Sequence, residues 1–231
     1  MSVTLFAGKE TVKRLDRVPL EYTEKAVQWL KEQGFKKIGV DGISKGSEYA
    51  LLSGSFFNDI TCVIARVPSY FVSEGIIKGK GPSGTSCWSY CGKELPFVPY
   101  KVREIHPLNE FFSHHELNIL KCNTNKTVTA ESIIPVEKIN GPVLLLSSVT
   151  DTVWPSAEAA DHIVDYLQQH NFQHEVKNVK YPNLSHAAFD FHGASWAMRL
   201  LFKEERAHPK ECAEQRKDLT EQTIDFVRNH W

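Results

Sequence analysis

The sequence predicts an α/β fold, in which a mostly parallel sheet is covered by helices on both faces. Two observations predict it: short apolar segments alternate with amphipathic helical segments, and no repeat or linker divides the 231 residues. A chain of this length can bury a sizeable core. We therefore predict a single domain over residues 1–231, with an irregular, lid-like excursion at about 72–130 where the periodicity is lost.

Each element has its own signal in the sequence. Residues 3–6 read as a strand that runs into Ala7 and Gly8. Residues 22–33 read as a helix that ends at Gly34, with one face formed by Tyr22, Ala26, Trp29, Leu30 and Gln33. Apolar runs predict buried strands, and helical spacing predicts helices between them. The remaining predicted strands are 37–40, 60–65, 142–146 and 176–181. The remaining predicted helices are one that begins at 48–52, a short one at 133–137, and two that cover 156–170 and 210–230.

Composition excludes several classes of function. The chain has 27 basic and 28 acidic residues, so it lacks the basic surface of a nucleic-acid-binding protein. Its apolar runs are too short to span a bilayer, and no secretory signal pattern opens it, so we predict a cytoplasmic protein. The five cysteines show no C-x-x-C pair; Cys87 and Cys91 could bridge or bind metal, but free thiols are favoured.

One short motif points to chemistry. Gly42-Ile43-Ser44-Lys45-Gly46 has the form G-x-S-x-G and lies between a predicted strand and a predicted helix. At such a junction the flanking glycines let the chain turn sharply and leave the serine hydroxyl exposed. The N–H of Lys45 would lie at the start of the helix, where unpaired donors favour an oxyanion.

Two partners for Ser44 follow at suitable places. Asp151 comes directly after the strongest predicted strand, and His186 lies in the loop after the last one, in the order serine, acid, histidine. Each residue also has an ordinary interpretation, since Asp151 could begin a turn and a loop histidine is often solvated. Competing acidic and histidine residues are Asp161, Asp165, Asp190 and His192.

Longer stretches carry a resemblance to a known family. They are VPLEYTEKA at 18–26, GVDGISKGSE at 39–48, IPVE at 134–137, Asp151 with Trp154 and Ser156, and YPNLSH at 181–186. In these stretches the chain resembles the C-terminal, dienelactone-hydrolase-like domain of the acyl-CoA thioesterase and bile acid-CoA:amino acid N-acyltransferase family. The resemblance implies an α/β-hydrolase fold, truncated at its N-terminus relative to the family because the early strands are missing.

The resemblance also implies roles. Ser44 would be the nucleophile, His186 the base and Asp151 the residue that orients it, so that a serine hydrolase releases a fatty or other carboxylic acid from an acyl-CoA without metal or redox cofactor. The family's acyltransferase branch typically has cysteine at the elbow, so Ser44 favours hydrolysis. Three alternatives stay open: a serine carboxylesterase or dienelactone-hydrolase-like enzyme, an acyl-CoA N-acyltransferase, and a non-catalytic α/β-hydrolase-like binding protein.

The missing strands leave the second oxyanion donor unassigned. If residues 3–6 take the place of the lost strand, a backbone N–H of Ala7 or Gly8 would supply it. Two further sets of residues have both a binding and a structural interpretation. Lys45, Lys78, Lys80 and Lys101 could meet coenzyme A phosphates or simply be solvated, and Tyr70, Phe71, Trp88, Tyr90, Phe97 and Tyr100 could line an acyl pocket or pack a lid onto the core.

Overall fold

The computed structural model describes residues 14–77, 81–101, 112–113, 115–120, 127–189 and 196–231. Its strands are β1 (Val18–Pro19), β2 (Ile38–Ile43), β3 (Ile60–Arg66), β4 (Glu74–Ile77), β5 (Gly81–Ser86), β6 (Trp88–Tyr90), β7 (Lys93–Glu94), β8 (Val143–Ser148) and β9 (Val176–Tyr181). Its helices are α1 (Glu21–Glu32), α2 (Lys45–Phe56), α3 (Ser156–Gln169), α4 (Trp196–Leu201), α5 (Lys203–Ala207) and α6 (Pro209–Asn229), with 3₁₀ turns at Ala130–Ser132 and Val136–Lys138.

The central sheet is parallel throughout. Its strand order is β2-β3-β8-β9, and each neighbouring pair is parallel. Parallel strands need crossover connections, and α2 and α3 supply two of them. The α/β class predicted from the sequence is therefore confirmed. All the carboxyl ends of these strands lie at one edge of the sheet, where side chains from distant parts of the sequence can meet.

Alternating side chains of the inner strands face two separate cores. Val63 and Ala65 of β3 pack in the cluster that contains residues of α2 and α3, whereas Cys62 and Ile64 pack in the cluster that contains Leu219 and Phe226 of α6. β8 is buried at every position, as expected for a strand covered on both faces. The helices therefore cover both faces of the sheet and leave its carboxyl edge as the place where loop residues can meet.

The strands predicted at 37–40, 60–65, 142–146 and 176–181 are β2, β3, β8 and β9, although β2 continues to Ile43. The predicted inner face of α1 is wrong. Tyr22 is 45% and Trp29 43% exposed, while Thr23 and Val27 are buried. The Thr23 hydroxyl lies 3.1 Å from the Ser53 hydroxyl of α2, so a polar pair occupies the helix contact where an apolar one was expected.

The excursion contains strands that the sequence did not predict. β4 and β5 form an antiparallel pair, and β6 joins β1 in parallel and β7 in antiparallel register. Glycine, serine and proline fill much of β5, so its sequence shows no apolar alternation. The predicted strand at 3–6 lies outside the described residues, and the single-domain assignment stays a prediction.

The thiols agree with the sequence interpretation. Cys62, Cys87, Cys91 and Cys212 are free, and Cys122 lies outside the described residues. Burial raises the pKa of the Cys62, Cys87 and Cys212 thiols to about 12, which leaves them protonated and unreactive at neutral pH. Within the described residues, His, Cys, Asp and Glu side chains form no cluster that could hold a metal ion, and no helix is long and apolar enough to cross a membrane.

Candidate active site

Ser44 lies at a sharp turn between β2 and α2. Its backbone has φ 58° and ψ −125°, a conformation that side-chain-bearing residues rarely adopt and that costs of order 1–3 kcal/mol. Gly42 makes the turn possible, because a Cβ there would lie 2.0 Å from the Gly46 carbonyl oxygen. A Cβ on Gly46 itself would meet nothing within 4 Å, so only the first of the two flanking glycines is required by close packing.

The histidine loop brings His186 onto the serine. His186 Nε2 lies 2.8 Å from Ser44 Oγ, and Nδ1 lies 2.8 and 3.0 Å from the two carboxylate oxygens of Asp151. Because a carboxylate only accepts hydrogen bonds, Nδ1 carries the proton and Nε2 is left to accept from the serine hydroxyl. The three predicted residues thus form one continuous hydrogen-bonded chain at the carboxyl edge of the sheet.

The carboxylate of Asp151 is fixed by its own turn. Its Oδ1 accepts hydrogen bonds from the backbone N–H groups of Val153 at 2.9 Å and Trp154 at 3.3 Å. The aspartate is 5% exposed, so it meets His186 in a largely dry environment, where a charge-assisted bond is strong. The turn that was the ordinary alternative for Asp151 is therefore present, and it positions the carboxylate toward the histidine.

The competing residues lie elsewhere or outside the described part of the chain. Asp161 accepts a hydrogen bond from Lys180 Nζ at 2.8 Å, on the surface of α3. Asp165 is exposed on the same helix. Asp190 and His192 lie outside the described residues.

Trp154 is a neighbour of the histidine that sequence reasoning noted only as part of a motif. Its ring meets the His186 ring edge-to-face, with centroids 4.7 Å apart and planes at 83°. Its indole N–H donates to the Val67 carbonyl oxygen at 3.1 Å. Val67 follows β3 with φ 45°, which is unusual for a β-branched residue. Trp154 thus fixes one face of the histidine and ties it to the end of β3.

The described aromatic residues mostly pack. Trp88 is fully buried against Tyr49, and Tyr90 packs on Phe56 and Phe57. Tyr70, Phe71, Tyr100 and Trp154 do line a cavity, but its volume is about 30 Å³. That is room for one or two water molecules, not for an acyl chain.

Lys45 is the first residue of α2, where backbone N–H groups lack an intrahelical acceptor. Its N–H therefore suits an oxyanion, as the sequence suggested. Its side chain does not suit a phosphate: the ammonium is buried, 3.6 Å from Glu48 Oε2. Lys101 is exposed, and Lys78 and Lys80 lie outside the described residues, as do Ala7 and Gly8.

The loop that carries His186 is held by a buried ion pair between α5 and α6. Arg216 donates to both carboxylate oxygens of Glu205, at 2.6 and 3.0 Å, and both side chains are fully buried. Ser185 also donates to Glu205 Oε1 at 2.6 Å, and its oxygen accepts from the N–H of Ala187. Ser185 is thereby anchored to Glu205 of α5, which Arg216 joins to α6, and Ala187 is held to Ser185. The isolated charges in the sequence gave no sign of this pair.

Replacing Arg216 by methionine should lower the free energy of unfolding by about 3–5 kcal/mol, because the Glu205 carboxylate is left buried without its cation. Urea denaturation measures the change. Lys217→Met on the same helix is the control, since the ion pair of Lys217 with Glu221 is exposed and its loss should barely move the midpoint. Equal midpoints for the two variants would contradict the assignment.

Comparison with known protein families shows to which family the chain belongs. The model of the family "BAAT / Acyl-CoA thioester hydrolase C terminal" matches residues 18–188. The chain belongs to this family. The matched range contains the serine, the aspartate and the histidine described above, together with β1 to β9. The family shown is therefore the one that the sequence motifs resemble.

Two acyl-coenzyme A thioesterases are similar to this chain at about one quarter sequence identity. Mitochondrial acyl-coenzyme A thioesterase 2 of Mus musculus is 26% identical over 189 residues, which cover 80% of this chain and 38% of the relative. Peroxisomal succinyl-coenzyme A thioesterase of Mus musculus is 24% identical over 191 residues, which cover 80% and 42%. The chain thus spans about two fifths of these relatives. Among solved structures, Pyrococcus horikoshii acylaminoacyl peptidase is similar over 90% of this chain and 26% of its own, with TM-score 0.46 and 14% identity.

Proposed function

We propose that this chain hydrolyses acyl-CoA thioesters to a carboxylic acid and coenzyme A, with Ser44 as nucleophile, His186 as base and Asp151 orienting the histidine. The observation that carries the proposal is the hydrogen-bonded chain from Ser44 Oγ through the imidazole to the Asp151 carboxylate. Membership of the thioester hydrolase family supports the choice of substrate. Because the chain spans about two fifths of its named relatives, the activity is proposed for this chain and not transferred from them.

In the first step His186 Nε2 takes the Ser44 proton while Oγ bonds to the thioester carbonyl carbon. The carbonyl oxygen becomes an oxyanion beside the N–H of Lys45, at the positive end of the α2 dipole. The C–S bond then breaks, His186 returns the proton to the departing sulfur, and free coenzyme A leaves an acyl-serine. Asp151 stabilises the imidazolium that forms in between.

In the second step a water molecule replaces coenzyme A. His186 takes a proton from the water, its oxygen bonds to the acyl carbon, and the ester bond to Ser44 breaks as the serine recovers its proton. The products are a carboxylic acid and the starting enzyme. This chemistry uses side chains and backbone only, so the proposal includes no cofactor.

Two points of the proposal rest on the sequence alone. The second oxyanion donor is assigned to Ala7 or Gly8, which lie outside the described residues. The cytoplasmic location also remains a prediction, since the relatives include a mitochondrial and a peroxisomal thioesterase.

A substrate panel tests the proposed function. Purified protein is offered acyl-CoAs from acetyl to palmitoyl, and p-nitrophenyl esters of the same acids. We expect kcat/KM for at least one acyl-CoA to exceed that for the matching ester by about tenfold or more, because remote contacts with coenzyme A add binding energy at the transition state. Thiol release at 412 nm and nitrophenol release measure the two rates.

Each alternative has its own outcome. Faster turnover of the oxygen esters would identify a carboxylesterase instead. Formation of an acyl amide when glycine or taurine is added would identify an N-acyltransferase. No turnover of either series, together with saturable acyl-CoA binding, would identify a binding protein and overturn the proposal.

A further inference from the structure

The backbone and the side chain of Lys45, the residue after Ser44, lie in different surroundings. The N–H of Lys45 begins α2 beside Ser44, whereas its ammonium is buried on the other side of the turn. Lys45 Nζ contacts the Ser73 hydroxyl, the Glu74 carbonyl oxygen at 3.4 Å and the Glu48 carboxylate at 3.6 Å. A lysine in a solvated loop would leave its backbone free to move; this one is anchored at its far end.

Glu48 is the centre of that anchor. It lies one turn along α2 from Lys45 and is fully buried. Its Oε1 accepts from the Ser73 N–H at 2.8 Å and the Trp88 indole N–H at 2.5 Å, and its Oε2 accepts from the Ser73 hydroxyl at 2.6 Å. The Ser73 N–H, the Ser73 hydroxyl, the Trp88 indole N–H and the Lys45 ammonium are thus donors or cations that face this carboxylate, and the N–H₂ group of a neutral amide in its place would point a donor at other donors.

The ammonium of Lys45 stays charged in this site. Burial is the largest single influence on its pKa and lowers it, but the Glu48 carboxylate, Tyr100 and Cys87 together raise the pKa by more, so the net shift is upward. The Tyr100 ring also lies 5.8 Å from Nζ. If the Glu48 carboxylate is removed, the buried Lys45 ammonium is left without water or a counter-charge around it. The segment that carries Lys45 must then move until the ammonium reaches water or another acceptor.

The moving segment would be the one that holds the oxyanion donor. The chain between Ser44 and Glu48 is short, and Ser44 is itself held in a strained conformation by its N–H bond to the Arg66 carbonyl oxygen at 3.0 Å. The direction of the Lys45 N–H is therefore set at one end by the elbow and at the other by the side-chain anchor. A catalytic donor must point at the place where the oxyanion will form, and small displacements weaken it.

We propose that Glu48 is a positioning residue for the oxyanion donor: by holding the Lys45 ammonium together with Ser73 and Trp88, it fixes the direction of the Lys45 N–H beside Ser44. The proposal rests on the proposed function only in requiring that Ser44 be a nucleophile. It also gives two strands a part in shaping the elbow: β4, which follows Ser73, and β6, which begins at Trp88. Neither strand carries Ser44, Asp151 or His186.

The test uses Glu48→Gln, which keeps the shape and removes the charge. Its control is Glu74→Gln, since Glu74 of β4 is an equally buried carboxylate whose side-chain oxygens accept from the backbone N–H groups of Gly84 and Tyr100. Its contact with Lys45 is made by the backbone carbonyl oxygen, which the substitution retains. Ser73→Ala is a milder variant that removes one hydroxyl shared by Lys45 and Glu48. Folded fractions from circular dichroism and urea denaturation normalise all rates.

The first readout is the rate of labelling by a fluorophosphonate, whose phosphonyl oxygen occupies the oxyanion position. We expect Glu48→Gln to slow labelling at least about tenfold, a part of the roughly 10²- to 10³-fold that complete loss of a donor costs. Ser73→Ala should slow it severalfold, and Glu74→Gln should leave it within about twofold. With substrate, kcat should fall while KM stays nearly constant, because the donor acts mainly in the transition state.

The outcomes separate the two proposals. If the unaltered protein takes no label, the proposed function fails and Glu48 has no donor to position. If it is labelled and folded Glu48→Gln is labelled at the same rate, or at the rate of Glu74→Gln, the positioning proposal is overturned. Should Glu48→Gln not fold, Ser73→Ala decides: labelling at the unaltered rate overturns the proposal, and slower labelling supports it.

Discussion

Replacing Ser44 by alanine should abolish thioester hydrolysis, with a loss in kcat on the order of 10⁶-fold, as for other serine nucleophiles. The hydroxyl is the atom that attacks, and nothing else at the elbow can take its place: the neighbouring Ser47 is buried and donates to the Ser44 carbonyl oxygen at 2.6 Å. Labelling by a fluorophosphonate should vanish with the activity. Turnover of the best acyl-CoA and mass spectrometry of the labelled protein measure both.

The same variant should leave stability nearly unchanged. Ser44 is half-buried, and alanine keeps the Cβ that already occupies the strained backbone position. Ser55→Ala is the matched control, because the Ser55 hydroxyl is buried in α2, the helix that follows Ser44. In the described contacts it bonds only to the Leu51 carbonyl oxygen. Labelling should persist in the control. Label found on another serine of Ser44→Ala would show that the nucleophile was assigned wrongly.

Asp151→Asn should lower kcat by roughly 10⁴-fold, the loss seen when the equivalent carboxylate of a serine protease is changed to an amide. An asparagine amide can donate to Nδ1 of His186, which places the ring proton on Nε2 and leaves no acceptor for the Ser44 hydroxyl. The fold should survive, because the asparagine oxygen can still accept from the Val153 and Trp154 N–H groups. Steady-state kinetics and thermal denaturation measure the two effects.

Asp161→Asn serves as the control for this variant. Asp161 lies in the following helix and pairs with Lys180 at the surface, so its loss should change kcat by less than about twofold. If Asp161→Asn instead abolished activity while Asp151→Asn did not, the acid would have been chosen wrongly. Loss of the melting transition in Asp151→Asn would mean that the turn, and not the histidine, depends on the charge.

The sequence could predict the sheet because its inner strands are buried on both faces. Val143 to Leu146 has an apolar side chain at every position, a pattern typical of a strand that is covered on both faces. The contacts between Ser44, Asp151 and His186 could be anticipated for a related reason. Each residue lies in the turn or loop that comes after a predicted strand, and the carboxyl ends of parallel strands share one edge of the sheet.

Other features depend on partners that no local pattern reveals. Lys45 was treated as an exposed cation, but it is buried because Glu48 and Ser73 surround it, and Ser73 lies in the stretch where periodicity is lost. The strands β4 to β7 pair with one another and with β1 through backbone hydrogen bonds, which leave little trace in side-chain identity. The face of α1 was misjudged because a polar residue, Thr23, is buried through its hydrogen bond to Ser53 of α2, together with Val27, which packs in the apolar core.

Backbone bonds across the sheet and hydrogen bonds between two loops together set the distance between Ser44 and His186. Ser44 N–H bonds to the Arg66 carbonyl of β3, and the N–H of Val67 bonds to Leu146 of β8, so a row of backbone bonds crosses the sheet from the serine toward the strand that precedes Asp151. On the far side, the hydroxyls of Ser148 and Thr150 both donate to the Leu184 carbonyl oxygen and join the aspartate loop to the histidine loop. Strand separations near 4.8 Å vary little among proteins. In the long segment between the end of β3 at Arg66 and the start of β8 at Val143, residues other than those that contact Trp154 and Glu48 can therefore be gained, lost or exchanged without altering the distance between Ser44 and His186, so substrate preference can diversify there while the chemistry stays constant.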